Sequence, residues 1–167
     1  MQGNRRIEPG QLIHRRGQVL GGQFSLALAA LMALLPSPSL AQETPLPSQL
    51  SGRAGGSTSL LDAIAKTPHD ANGNPCVGYG SFQPNHTVTL PANLPSLQVR
   101  VSSGRDDTTL VIQGPNGTVF CGDDPTADDP GAIVTLTAPA PGPYQIWVGT
   151  FTPGGQPPYQ LDLMASP

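Results

Sequence analysis

The segment GRDDTTLVIQGPNGTVFCGDDPTADDPG, residues 104–131, gathers Asp106, Asp107, Asp123, Asp124, Asp128 and Asp129 around one short apolar hairpin, and no lysine or arginine follows it. Carboxylates at that density repel, and their pKa values rise unless a cation intervenes. Calcium takes about six to eight hard oxygens from carboxylates, carbonyls and water, which makes Asp106, Asp107, Asp123 and Asp124 the candidate calcium ligands. No EF-hand spacing accompanies them. Two other roles compete: a solvated acidic rim that guards a sheet edge against aggregation, and local capping of loop backbone by Asp and Thr. The same carboxylates could serve a small hydrolase as acid and base, but they come from one hairpin, whereas a cleft draws them from several strands.

Other chemistry is thinly represented. Beyond the first 41 residues only His69 and His86 remain, each beside a turn, and there is no GxSxG nucleophile motif. A non-enzymatic role is therefore expected. Tyr144, Trp147 and Phe151 offer an aromatic platform for a sugar ring. Strand alternation sets Trp147 opposite Tyr144, so Trp147 can equally cover the second sheet or pack near a cystine. Asn85-His-Thr87 and Asn116-Gly-Thr118 match the N-glycosylation pattern, which matters only in a eukaryotic host.

The elements that position these residues read as all-β. Residues 97–101, 144–148 and 159–163 alternate apolar with polar side chains, and residues 132–137 are β-branched after a Pro-Gly turn. Residues 108–113 and 118–121 flank Gly114-Pro-Asn-Gly117, a hairpin signal in which Pro115 and Asn116 form a type I turn and Gly117 takes positive φ. That turn pairs Gly114 with Thr118, Val111 with Cys121 and Thr109 with Asp123. It places Leu110, Ile112 and Phe120 on the core face, Asp107 diagonal to Asp123, and Asp106 near Asp124 on the opposite face. Residues 57–66 read as a strand or a short helix, and residues 69–79 as a loop with turns at Asn72-Gly73 and Asn74-Pro75. The expected fold is a single small β-sandwich, jelly-roll-like, of about seven or eight strands over residues 57–167.

The N-terminal 41 residues read as a signal peptide: four arginines, an apolar run over residues 24–35, then small residues at Ser39 and Ala41. The apolar run is short for a membrane span, so no span is expected once the signal is removed. Residues 42–56 are rich in Pro, Ser and Gly and read as a flexible linker. Losing four arginines and Glu8 leaves 4 basic and 10 acidic residues, a net charge of −6. That balance argues against a nucleic-acid partner, which would need basic patches. The protein is expected to be secreted or periplasmic. In such a compartment the two cysteines, Cys76 and Cys121, oxidise to one disulfide.

Three segments carry a family resemblance. Residues 107–117 (DTTLVIQGPNG) with the following Cys121-Gly-Asp-Asp124, residues 142–149 (GPYQIWVG), and Cys76-Val-Gly-Tyr79 resemble the bacterial pre-peptidase C-terminal domain and its stand-alone relatives. The resemblance spans residues 56–164. It implies a small β-sandwich carried by exported proteins, non-catalytic, with Cys76-Val-Gly-Tyr79 as the partner half of the cystine. Related collagen-binding modules of that superfamily use calcium. The function it implies is binding, or stabilising an exported partner, with a protein or polysaccharide as the ligand. The alternatives are a small secreted hydrolase and a carbohydrate-binding module.

Overall fold

The computed structural model describes residues 45–166. The expected signal segment, residues 1–41, lies outside the described residues. Among those described, no helix is long and apolar enough to cross a membrane.

Among the described residues, ten strands form two antiparallel sheets: β1 (Gln49–Arg53), β2 (Thr58–Ser59), β3 (Tyr79–Gly80), β4 (His86–Leu90), β5 (Ser96–Ser102), β6 (Thr108–Gln113), β7 (Val119–Gly122), β8 (Ile133–Thr137), β9 (Gly142–Thr150) and β10 (Pro158–Ser166). One sheet runs β1-β10-β5-β8, and the other β2-β3-β9-β6-β7 with β4 also paired to β9. The architecture is the expected β-sandwich. Alternation is cleanest in β5, where Leu97, Val99 and Val101 are buried between more exposed neighbours. These three pack with Leu110 and Ile112 of β6, Val134 and Leu136 of β8, Tyr144, Ile146 and Val148 of β9, and Leu161 and Leu163 of β10. Phe120 packs on the edge of that cluster, as the hairpin pattern predicts.

A second cluster lies on the outer face of the larger sheet. Val111, Trp147 and the cystine pack there against Leu60 and Ala65. Residues 57–66 supply both expected forms in succession, strand β2 and then a helical turn over Leu61–Ala65. This cover explains why β6 is buried on both faces rather than alternating. Cys76 and Cys121 are bonded, closing a separation of 45 residues. Such a loop stabilises by about 4 kcal/mol in the chain-entropy account.

Two expectations change. The segment taken for a linker is strand from Gln49 onward: β1 pairs with β10 in the register Leu50 with Leu161 and Gly52 with Tyr159, and Ala54 is buried. The domain therefore includes residues before position 57. Edge position hides the strand from pattern reading, because only Leu50 of its five residues is even half-buried. Gly52 serves close approach, since a Cβ there would lie 2.7 Å from the Tyr159 hydroxyl. The hairpin turn also differs. Its ladder keeps the expected register, Val111 with Cys121, and the Gly114 N–H donates to the Thr118 carbonyl at 2.8 Å. Asn116, however, takes φ 65°, outside the right-handed region a type I turn requires at that position. Asparagine tolerates this conformation better than other side-chain-bearing residues.

Candidate functional site

The chain passes repeatedly between the two sheets. Residues 103–107 carry it from β5 to β6, and residues 123–132 carry it from β7 back to β8. The aspartates lie in these two crossings. Thr108, fully buried, ties the crossings together: its N–H donates to the Pro130 carbonyl at 3.0 Å, and its Oγ1 accepts from the Ala132 N–H at 3.3 Å. The Ile133 N–H donates to the Asp123 carbonyl at 3.3 Å.

Asp107, Asp123 and Asp124 converge, each offering a carboxylate oxygen within 4.8 Å of the other two. Asp123 is half-buried, and its Oδ1 is shielded from solvent with no hydrogen-bond partner. Burial pushes the Asp107 carboxyl above its ordinary value, and the charges of Asp124 and Asp123 push it further. Asp123 is raised by burial and by Asp124, against a lowering hydrogen bond from the Asp124 backbone. A hard cation would offset both the burial of these carboxylates and their mutual repulsion.

Asp106, the fourth expected ligand, is not in this group. It sits in a turn where Ser103 Oγ donates to its carbonyl at 2.6 Å. Asp124, expected beside Asp106 on the opposite face, instead joins Asp107 and Asp123, because β7 ends at Gly122 and strand alternation no longer sends residues 123 and 124 to opposite faces. Asp129 is also elsewhere. It is ion-paired with Arg100 of β5 and accepts the Gly131 N–H at 3.2 Å. The counter-charge thus comes from upstream in sequence.

The aromatic platform does not assemble. Tyr144 is in the inter-sheet core with its hydroxyl donating to the Ala140 carbonyl at 3.0 Å, whereas Trp147 packs on the outer face beside the cystine. Phe151 is exposed past the end of β9, where its N–H donates to the Asp107 carbonyl at 3.3 Å. His86 shares a 2.7 Å hydrogen bond with the Tyr159 hydroxyl, and burial lowers its pKa. The group of converging acidic residues contains neither histidine. Asn85, in one of the glycosylation patterns, is committed internally: its amide donates to the Arg53 carbonyl at 3.0 Å and accepts the Val148 N–H at 2.9 Å.

Sequence reasoning missed Asp70, which is 8 % exposed. One carboxylate oxygen accepts the N–H groups of Asn72 and Asn74 at 2.9 Å each. The other accepts Asn74 Nδ2 and the Cys121 N–H, both at 3.0 Å. Burial opposes its ionisation, but these hydrogen bonds outweigh that effect and its pKa is lowered. The only sequence signal was an Asp two residues before Asn72-Gly73, which is the pattern of an Asx turn.

A recess of about 770 Å³ runs along β4 and is walled by Pro45, Leu46 and Pro47, with no titratable side chain among the described residues that line it. Compared with known proteins, the chain matches no protein-family model and none of the curated proteins.

Proposed function

We propose that this is a secreted, non-catalytic β-sandwich module that works by binding, and that Asp107, Asp123 and Asp124 hold a calcium ion which fixes the two crossing loops. The observation that carries the calcium reading is the convergence of the Asp107, Asp123 and Asp124 carboxylates, one of which, Asp123, also has a shielded oxygen without a hydrogen-bond partner. A buried polar atom left unpaired costs about 1–3 kcal/mol, and a cation offsets that cost. The binding-module reading is supported by the antiparallel sandwich and the Cys76–Cys121 bond, both of which the resemblance to the pre-peptidase C-terminal domain implies. The disulfide also favours an oxidising compartment outside the cytosol.

Melting of the domain in calcium and in EDTA tests the site. Extracellular calcium modules bind at about 10⁻⁴ to 10⁻³ M, so about 1 mM calcium should stabilise the domain by roughly 0.4–1.4 kcal/mol. Asp107→Asn combined with Asp123→Asn should abolish the response. The sign in EDTA is informative as well. Carboxyls with raised pKa contribute stability that is present below about 3.8 and lost as the pH rises through their folded values. The double variant should therefore be no less stable than wild type in EDTA at neutral pH. An identical calcium response in both proteins would refute the site.

A further inference from the structure

A recess of about 410 Å³ lies on the outer face of the larger sheet, and its lining, which contains no aspartate, includes Lys66, Phe82, Gln83, Gln113, Gln145 and Trp147. Its size falls within the roughly 300–1,000 Å³ typical of ligand pockets. We propose that it is a subsite for a neutral saccharide ring, with Phe82 as the stacking surface and Gln83, Gln113 and Gln145 as the hydroxyl partners.

The floor follows from strand register. Gln113 of β6 is paired directly with Gln145 of β9, so their side chains stand together, and Trp147 shares their face two residues along β9. Phe82 is 66 % exposed, the largest exposure of any big apolar side chain in the described residues. Its loop is nonetheless held in place: Trp147 Nε1 donates to the Phe82 carbonyl at 3.3 Å, and Ser81 Oγ donates to the Gln83 carbonyl. An aromatic ring displayed on a fixed loop needs little ordering on binding, and that favours a weak, preorganised contact.

The chemistry of the lining selects the ligand. Each amide offers donors and an acceptor, and none of the three glutamine side chains takes part in the side-chain hydrogen bonds found among the described residues. A pyranose has an apolar C–H face for Phe82 and hydroxyls that both donate and accept. A purely apolar ligand would bury these amides unpaired, at a cost. An anion would find only Lys66, whose ammonium is already donating to the Asp62 carbonyl. This assigns a ligand class to the binding-module reading and rests on it. The calcium titration interrogates a different set of residues, so either can fail while the other stands.

Trp147 is the sole tryptophan of the chain, so its fluorescence reports on the recess directly. Cellohexaose, maltohexaose, xylohexaose and chitohexaose are titrated separately into the protein, with and without calcium. At least one should give a saturable change with a Kd of about 1 mM or tighter. Phe82→Ala and Gln145→Ala should each weaken it by about tenfold or more, while Gln98→Ala on the other sheet leaves it unchanged. Each variant is first shown to melt like wild type. No saturable response to any of the four overturns the proposal, as does a response that survives both recess substitutions. A response given by the peptide acetyl-Gly-Ser-Gln-Gly-Ser-amide and by none of the sugars also overturns it, in favour of peptide recognition.

Discussion

Asp70→Asn should be among the most damaging single-atom changes available to this domain. The substitution keeps an oxygen to receive the N–H groups of Asn72 and Asn74. It turns the other carboxylate oxygen into an NH₂ group that faces two donors, Asn74 Nδ2 and the Cys121 N–H, each at 3.0 Å in wild type. Cys121 is 1 % exposed, so its N–H cannot recover a partner from water. An orphaned buried donor costs about 1–3 kcal/mol, and the lost charge-assisted bond from Asn74 adds to that, giving an expected loss of about 2–3 kcal/mol. Urea unfolding with the disulfide intact should show the midpoint falling at unchanged slope, and melting should drop by about 10 °C. The pH dependence is a second readout. A carboxyl with a lowered folded pKa contributes stability that is present above about 3.8 and lost as the pH falls through the folded value, so the gap between the two proteins should close in acid. A gap under about 0.5 kcal/mol at neutral pH, or one that does not narrow in acid, would refute the tethering role.

Two further outcomes follow from buried polar groups. Thr109 Oγ1 is buried without a partner, wedged where Gly78 and Gly149 approach so closely that a Cβ on them would fall 2.1 and 2.4 Å from it. Thr109→Val keeps the shape and removes the orphan hydroxyl, so urea unfolding should show a gain of about 1 kcal/mol. His86 and Tyr159 bracket the pH range from both sides. The lowered pKa of His86 makes stability fall as the pH drops below about 6.5, a loss that unfolding of His86→Gln at pH 8 and pH 5 should not show. Burial lifts Tyr159 from 10.0 to about 12, so its contribution is whole below 10.0 and lost as the pH rises toward 12, which Tyr159→Phe should abolish.

Much of the inter-sheet core is legible in the chain because strand geometry writes it locally. Leu97, Val99 and Val101 alternate at the period of a pleat, and the Gly114–Gly117 turn signal sets the β6–β7 register without reference to anything distant. The pairing of Cys76 with Cys121 needed only that there were two cysteines and an expectation of export. Counting residues along β9 set Trp147 opposite Tyr144, and the structure decided that its face is the one beside the cystine. The acidic site was half legible. Asp107 and Asp123 follow from the hairpin; Asp124 is a candidate in the sequence too, but alternation assigns it to the face of Asp106, because no local pattern marks where β7 leaves the ladder.

What tertiary structure alone decided are the contacts between segments far apart in sequence. Arg100 meets Asp129 across 29 residues, the Asp70 carboxylate meets the Cys121 amide across 51, and Gln49 of β1 meets Asp162 of β10 across 113. Each depends on which strands become neighbours, and periodicity carries no record of that. A polar edge strand such as β1 draws its stability from its partner's backbone rather than from its own side chains, so nothing in Gln-Leu-Ser-Gly-Arg announces it. Asp70 is unremarked in sequence for the opposite reason: its charge is useful only inside a loop whose closure is completed by a strand it has not yet met.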